Sequence, residues 1–381
     1  MKIVFDARWI KRMSSGIGVY AREMMRHLPA LAPDCEFVFL FQSQESADDA
    51  FLNARMYGNT RAEIVPFGPM SFKNQLQLPK LLNGLDADVF HSPNYMIPYY
   101  WKRKDGKTRG RIIANVHDVI PLAVEDYAPR SLTSKFKFLY KYCLRRTVGT
   151  AATVITGSAS ARNDLIRILK LPEKAQGKIR VIWDGADGEG AQPSRVSFDA
   201  DDSRPRRLLY VGRSDPYKNV AGLVRAFADA QKRVPFTLKL YIAGAPDPRY
   251  PEAQEEAEEL GVGSDVVFTG HISDSDLAAL YRESDLLTHF SSYEGFGLPI
   301  VEAMRAGLPV VCTDGGSQPE VAGGAAEIVK AGDELSLAGA IADILSSPEK
   351  LLAMRTAGLA RAKIFSWEKC AQETAKALTG V

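Results

Sequence analysis

Residues 293–307 read YEGFGLPIVEAMRAG, which sets Glu294 and Glu302 eight positions apart across a glycine-bearing loop and a proline. Gly295 and Gly297 let a backbone come close to a ligand, and Pro299 suits the first turn of a helix PIVEAMRA. The N–H groups that open such a helix, together with its dipole, favour a phosphate. Two carboxylates beside an anion site are poor phosphate ligands, but they are good acceptors for the hydroxyl groups of a sugar. The spacing therefore supports recognition of a phosphate with hydroxyls on both sides. Taken alone, the segment reads equally well with Glu302 capping the helix and Glu294 in solvent.

Further residues join the same chemistry. In YVGRSDPYKNV, residues 210–220, a strand ends at Gly212 and Arg213 and Lys218 follow. Two cations at a strand's carboxyl end suit a diphosphate, Arg through bidentate contact and Lys as a point charge. A pair of surface bases is the plain alternative, but this pair directly follows the first strand of the second half. In SSGIGVYARE, residues 14–23, Gly16, Gly18 and Ala21 match G-x-G-x-x-A. These glycines fall well after the strand KIVFDA, and FVFLFQSQ supplies Gln42 and Gln44 where a dinucleotide site needs an acid. The segment is read instead as a flexible glycine loop opening a helix. His117 and Asp118 end the strand of NVHDVIP, where a histidine can hydrogen-bond a sugar or move a proton. His91 in HSPNYMIP ends another strand, and for either histidine a satisfied structural role is the alternative. Ser158 suits a helix cap. The acid pairs DAD at 86–88 and DSD at 274–276 run into a strand and open a helix respectively, so no required metal is expected.

These residues need a scaffold. At 381 residues the chain exceeds one comfortable core, which predicts two domains. A hydrophobic content of 46% and a charged content of 25% are those of globular protein, which excludes fibrous and disordered classes. Apolar runs such as KIVFDA, EFVFLF, DVFHS, RIIANVHD and TVITGS, then RRLLYVG, LKLYIAG, DVVFTG, DLLTHFS and PVVCT, alternate with helical patterns. Such alternation predicts parallel sheets covered on both faces. The polar, aperiodic stretch 184–207 reads as a linker. The expected division is residues 1–184, 185–366 and a final helix at 367–381. Ligands in such folds sit at the carboxyl ends of the strands, here in a cleft between the two sheets.

Four widely spaced cysteines, Cys35, Cys143, Cys312 and Cys370, argue against a zinc site or a disulfide framework and fit a reducing cytoplasm. There is no apolar run long enough to cross a membrane, and MKIVFDARWIKR is expected to be a first strand rather than a signal peptide. Net charge is +2 overall but uneven: residues 1–184 carry +11 and residues 185–381 carry −9. The first half is thus expected to face something anionic. Much of the excess lies in WKRKDGKTRGR, residues 101–111, and in SKFKFLYKYCLRRT, residues 134–147. In the latter, Lys135, Lys137, Lys141 and Arg145 alternate with aromatics. That segment suits an acceptor side or an anionic membrane surface. An ordinary amphipathic helix is the alternative, and no nucleic-acid motif accompanies the charge.

Together GIGVY, VHDVIP, GRSDPYK, EGFGLPIVE (E-x7-E) and GSQPEVAGGAA resemble the retaining glycosyltransferases of family 4, over nearly the whole chain. HSPNYMIP and VHDVIPL are most similar to the bacterial mannosyltransferases that build surface polysaccharides. The resemblance implies an α/β chain of two Rossmann-like parallel-sheet domains facing across a cleft, the GT-B fold. It implies no cofactor but a nucleotide-diphosphate sugar as co-substrate, with GDP-mannose favoured and a UDP-sugar the alternative. The acceptor would be a saccharide or lipid-linked saccharide, met in the cytoplasm or at the inner face of the cell membrane.

By matching position, Arg213 and Lys218 would hold the diphosphate and Glu302 the ribose hydroxyls. Glu294, with the backbone of Gly295, Phe296 and Gly297, would hold the transferred sugar. Gly16 and Gly18 would close over the phosphates, and the base would lie near Gly270 in FTGHIS. His117 and Glu294 would be the catalytic residues, with retention of configuration and no metal. Whether Glu294 acts covalently stays open, with positioning preferred. The competing readings are a nicotinamide-dependent oxidoreductase using GIGVYA, a sugar-nucleotide epimerase, and a non-catalytic nucleotide-sugar-binding protein.

Overall fold

The computed structural model describes residues 1–10, 16–52, 57–106, 108–125, 127–186 and 204–380. Most of the expected linker, 187–203, and the start of the glycine loop, 14–15, lie outside the described residues. The chain forms two units, each on its own sheet.

The first unit comprises Met1–Val119, Lys137–Gly185 and Ser366–Val381. Its strands are β1 (Lys2–Phe5), β2 (Glu36–Phe41), β3 (Thr60–Ile64), β4 (Val89–Ser92), β5 (Arg111–Asn115), β6 (Thr153–Thr156) and β7 (Ile179–Val181). They pair in parallel in the order β3-β2-β1-β4-β5-β6-β7. The second unit comprises Ile120–Phe136 and Ala186–Phe365. Its strands are β8 (Arg206–Val211), β9 (Leu238–Ala243), β10 (Val266–Gly270), β11 (Leu286–His289), β12 (Val310–Thr313) and β13 (Glu327–Val329), in the order β10-β9-β8-β11-β12-β13 and again parallel.

Central strands are apolar throughout because helices cover both faces. In β8, Leu208 and Tyr210 enter one core cluster while Leu209 enters another. That is the two-residue alternation of a strand whose two faces are both buried. All ten strands expected from sequence form. Three more, β3, β7 and β13, each lie at a sheet edge. An edge strand has a neighbour on one side only, so TRAEI, IRV and EIV need no long apolar run.

In each sheet the strand order reverses once, between β1 and β4 and between β8 and β11. Just past those strands, neighbouring connections leave in opposite directions and open a crevice at the carboxyl ends.

The division differs from the expected boundaries by single residues at Gly185 and Ser366, which fall in the first unit, and by one whole segment. Residues 120–136 belong to the second unit, not to the first. Ile120 packs with Tyr217 and Tyr293, the Tyr127 ring stacks on Tyr217 at 5.2 Å, and the Arg130 N–H donates to the Tyr250 hydroxyl at 3.1 Å. The expected basic segment 134–147 is accordingly split at Phe136. Lys135 ends the short helix Leu132–Lys135 in the second unit, while Lys137, Lys141 and Arg145 lie on helix Lys137–Thr150 in the first.

The final helix, Trp367–Thr379, packs on helix Gly16–Leu31 of the first unit, with the Tyr20 and Trp367 rings edge to face at 6.2 Å. Arg111 of β5 donates to the Ala377 carbonyl at 2.8 Å. Where the chain leaves the first unit it runs against the point of return. A Cβ on Gly185 would stand 2.1 Å from the Trp367 nitrogen and 2.5 Å from the Ser366 carbonyl carbon, both rigid backbone. Gly185→Ala is therefore expected to destabilise the first unit by about 1–3 kcal/mol, an overpacking cost. A lower midpoint in urea unfolding checks this; an unchanged midpoint would show that the two passages can separate freely.

Candidate active site

The second unit gathers most of the predicted residues at its strand-order reversal. Lys218 follows β8 and Glu294 follows β11, the two strands that flank the crevice. The Lys218 ammonium donates to Glu294 Oε1 at 2.6 Å, and His289 Nε2 meets the same oxygen at 2.9 Å. All three groups are shielded from solvent. Glu294 is thus neither solvated nor alone. Burial by itself would raise its pKa, but the Lys218 charge and the His289 hydrogen bond hold it well below the usual carboxylate range. Burial would likewise lower Lys218, yet the adjacent carboxylate keeps it above the usual lysine value. Both groups are ionised at neutral pH. The Lys218 ammonium also lies 5.0 Å from the centre of the Tyr217 ring.

Arg213 sits differently. Its guanidinium reaches solvent while Nε donates to the buried Asp215 carboxylate at 2.6 Å. Tyr210, at the end of β8, donates its hydroxyl to the Arg213 carbonyl at 2.7 Å. Asp215 therefore aims Arg213, and the outer edge of the fork can still meet an anion.

The loop bearing Glu294 is held by a second loop, residues 313–318. Ser317 donates through its amide and its hydroxyl to the Glu294 carbonyl at 3.0 and 3.1 Å, and the hydroxyl also reaches the Phe296 carbonyl at 2.9 Å. Gln318, fully buried, spans the Ser291 and Gly315 carbonyls at 2.9 and 3.0 Å. Gly316 pairs with Glu294 across an isolated bridge, at a left-handed φ of 65°, and a Cβ there would lie 2.3 Å from the Glu294 carbonyl oxygen. Only glycine satisfies both the sign of φ and that approach. The tie to the β8 side is direct: the Ser292 N–H donates to the Tyr217 carbonyl at 2.7 Å.

From this loop the chain enters helix Leu298–Arg305 through Gly297, with Pro299 in the first turn and no side chain capping the N-terminus. Its first N–H groups are the donors that a phosphate would meet. Gly295, Phe296 and Gly297 form the approach, and the Phe296 ring packs edge to face with Phe365 at 5.6 Å. Glu302 does not cap this helix. Its Oε2 accepts from the Tyr281 hydroxyl at 2.6 Å, and burial raises its pKa despite that bond. A carboxylate has further acceptor sites, so Glu302 is oriented without being saturated. Gly270 ends β10 at the edge of the sheet, one strand removed from β8, with open space where a side chain would be.

The remaining predicted residues belong to the first unit, except Lys135 and the acid pair at 274–276, which are in the second. Gly16 and Gly18 lie within helix Gly16–Leu31, not in a loop. His117 donates from Nε2 to the Pro93 carbonyl at 3.1 Å, since a carbonyl can only accept, and Nδ1 stands 4.0 Å from the buried Asp184 carboxylate. The Tyr20 ring meets it edge-on at 5.2 Å. His91 is a core residue: it is wholly buried, bonded to Asn115 at 3.0 Å, and burial pushes its pKa down to about 4. Ser158 caps helix Ala159–Leu169, accepting from the Ala161 N–H at 2.9 Å. Asp88 takes the Lys2 N–H and Arg103, and the pair at 274–276 starts helix Asp274–Glu283. Among the described residues no cluster of His, Cys, Asp and Glu is arranged to hold a metal ion.

Sequence reasoning missed His289, Asp215, Tyr281, Ser317 and Gln318. His289 carried a signal, a titratable residue inside the buried run DLLTHFS. Asp215 lies two residues from its partner Arg213, while Tyr281, Ser317 and Gln318 are ordinary polar residues with partners 21 or more positions away.

Residues 14–189 match the model of "Glycosyltransferase Family 4" and residues 197–361 that of "Glycosyl transferases group 1". The chain is 26% identical to O-antigen chain mannosyltransferase B of Escherichia coli over 394 residues, 99% of each protein. It is 34% identical over 224 residues to the MMP alpha-(1->4)-mannosyltransferase of Mycolicibacterium hassiacum, a match to 57% of this chain and 51% of that one. Among solved structures, Anabaena HepE in complex with UDP-glucose superposes with a TM-score of 0.75 at 18% identity, covering all of both chains. Sucrose-phosphate synthase from Thermosynechococcus elongatus does so with a TM-score of 0.75 at 21% identity, covering 100% of this chain and 98% of that one. At these identities the structures speak for the fold. The chain belongs to the family 4 glycosyltransferases and has their GT-B fold.

Two substitutions test the core of this site. Removing either charge of the Lys218–Glu294 pair leaves its partner buried and uncompensated. Lys218→Met and Glu294→Gln are each expected to cost about 3–5 kcal/mol, and the double variant less than the sum. Additive costs in urea unfolding would show that the pair is not coupled. The pair's stabilisation should also span a wide pH range. Glu294, with its pKa depressed, contributes above the usual carboxylate range and fails only as acid reaches its lowered value. Lys218, with its pKa raised, contributes below the usual lysine range and fails only as base passes its raised value.

Proposed function

We propose that this glycosyltransferase moves mannose from GDP-mannose to a saccharide or lipid-linked saccharide in the assembly of a surface polysaccharide, working in the cytoplasm at the inner face of an anionic membrane. The observation that carries the donor half is the Lys218–Glu294–His289 cluster at the β8/β11 crevice, beside an uncapped helix N-terminus. Likeness to an O-antigen mannosyltransferase along the whole chain favours mannose. A UDP-sugar is the competing donor, the class seen bound in the HepE structure.

In this reading the anomeric C–O bond breaks and a nucleoside diphosphate departs. Arg213, Lys218 and the N–H groups after Gly297 receive the growing negative charge, so that no metal is required for it. Glu302, held by Tyr281, accepts the ribose hydroxyls. Both neighbours of Glu294 bind Oε1, so Oε2 retains acceptor capacity for a hydroxyl of the transferred sugar. A carboxylate held this way serves as a positioning acceptor. His117 is proposed to contact that same sugar, and Gly16 and Gly18 to lie near the phosphates. The acceptor hydroxyl attacks the anomeric carbon with retention, and its proton passes to a phosphate oxygen of the departing diphosphate.

A thermal-shift screen with EDTA present, using GDP, UDP, ADP, GDP-mannose, UDP-glucose, UDP-GlcNAc and NAD(P)H, is the first test. A ligand at a hundred times its Kd stabilises by about 2.7 kcal/mol, which such a screen detects. A rise confined to GDP and GDP-mannose is expected; a rise with UDP compounds alone would replace the donor, and one with NAD(P)H alone would overturn the reading. Arg213→Ala is expected to weaken diphosphate binding. Glu294→Ala is expected to abolish transfer, with diphosphate binding retained by the fraction of the variant that stays folded despite the uncompensated Lys218. If neither variant changed turnover, the site would be misassigned.

A further inference from the structure

One carboxylate of the first unit is left unsatisfied by its own fold. Asp184 is 6% exposed, and among the described residues no group donates a hydrogen bond to its side chain. Its ionic neighbour is His117, whose Nδ1 stands 4.0 Å from Oδ2. A carboxylate buried without donors destabilises a fold. Burial accordingly raises the Asp184 pKa, and the charge of His117 opposes the rise. An asparagine would fill the same volume without that cost.

The backbone fixes both residues. Beside His117 the Val116 N–H donates to the Ile155 carbonyl at 2.8 Å, and two residues before Asp184 the Ile182 N–H donates to the Thr156 carbonyl at 2.9 Å. Both chains are thus still tied to β6 where they reach the pair. Gly185, the next residue, is pressed against the backbone of Ser366 and Trp367. The imidazole is held in turn. Its Nε2 donates to the Pro93 carbonyl at 3.1 Å, and the Tyr20 ring meets it edge-on at 5.2 Å. With the Nε2 proton committed, Nδ1 of a neutral ring is an acceptor, and it faces a second acceptor. The contact attracts only when one more proton sits on Nδ1 or on Oδ2.

The surroundings leave that proton to the pair. The other titratable groups in electrostatic contact with it are Tyr20 from helix Gly16–Leu31, His91 from β4 and Cys370 from the final helix. Burial raises Tyr20 and Cys370 well above their ordinary values and pushes His91 down to about 4, so all three are uncharged near neutral pH. Among the described residues, the charge at this point rests with Asp184 and His117. They follow β7 and β5, at the carboxyl ends where parallel sheets bind ligands. A costly buried charge at such a place marks function rather than stability.

We propose that Asp184 is a positioning residue: through one proton shared with His117 Nδ1 it fixes the imidazole against the Pro93 carbonyl, and so fixes what His117 presents to the transferred sugar. This deepens the proposed function and rests on it for the contact between His117 and the sugar.

The test follows release of nucleoside diphosphate by the full chain from GDP-mannose or UDP-glucose, so that transfer and hydrolysis both count. Asp184→Ala is expected to lower kcat about tenfold or more, as misplacement of a contacting group does, and to leave the donor KM unchanged. Asp184→Asn is expected to recover most of that loss, because its amide donates to Nδ1 without a shared proton. The kcat of Asp184→Asn relative to the unaltered chain should therefore rise between about pH 5 and about pH 8, as the shared proton leaves the unaltered pair. In a His117→Ala background, Asp184→Ala should have no further effect. At neutral pH Asp184→Asn should unfold at an equal or higher urea concentration than the unaltered chain, since a carboxyl whose pKa is raised on folding weakens the fold as it ionises.

Unchanged kcat in Asp184→Ala, or a loss confined to KM, would overturn the proposal, and so would a kcat ratio that does not vary with pH. Losses that multiply in the double variant would mean that Asp184 touches a substrate itself. A lower urea midpoint for Asp184→Asn would make the carboxylate a structural group. If UDP-glucose alone is turned over, the mannose reading falls and the same ratios are read with that donor. If neither donor is turned over, the transfer reading falls and urea unfolding decides the pair: non-additive costs of Asp184→Ala and His117→Ala support it, and additive costs sink it.

Discussion

A buried ion pair, Lys218 with Glu294, fastens the loop after β8 to the loop after β11. Neither partner is tolerable without the other, because a lone charge in that position is left uncompensated away from water. The pair accordingly fixes the separation of the two loops that flank the crevice, and His289 adds a third contact from the strand itself. What a ligand would meet there is a ready arrangement of charge rather than mobile side chains. Such preorganisation is what electrostatic stabilisation of a departing anion requires.

The rest of the second unit serves this arrangement. Parallel strand order brings β8 and β11 side by side although 74 residues separate Val211 from Leu286 by number. Residues 313–318, after β12, then brace the Glu294 loop through Ser317 and Gln318, and the close pass of Gly316 leaves no room for a side chain. Asp215 performs for Arg213 what His289 performs for Glu294, and Tyr281 does the same for Glu302. Each group suited to touch a ligand is oriented by a neighbour that is not, a division of labour that lets charged atoms stay pointed at the crevice.

Exchange of segments between the units has a local physical basis. Residues 120–136 leave the sheet of the first unit because Ile120, Tyr127 and Arg130 find apolar and hydrogen-bonding partners around Tyr217 and Tyr250. Ser366–Val381 returns to the first unit because Trp367, Cys370 and Ala371 complete the buried side of helix Gly16–Leu31. The chain therefore passes between units at 119/120, 136/137, 185/186 and 365/366, with the Gly185 backbone held against Ser366 and Trp367.

The amino-acid sequence by itself determined the fold class, since strands buried on both faces must be apolar along their length and those runs can be read directly. It also determined that Arg213, Lys218, Glu294 and the Gly297 helix start belong to strand carboxyl ends, because each follows such a run within a few residues. The edge strands β3, β7 and β13 escaped because a strand with one neighbour carries little pattern. Tertiary structure alone decided what the carboxylates do. Glu294 looked as ready for solvent as for a ligand until folding placed Lys218 and His289 on it, and Glu302 looked like a cap until Tyr281 arrived from another helix. It alone removed His91 to the core, put Gly16 and Gly18 inside a helix, and divided one basic segment between two units. Apart from His289, five residues from Glu294, the partners that decide the carboxylates are distant in the chain, and local spacing holds no information about which distant side chain will be the neighbour.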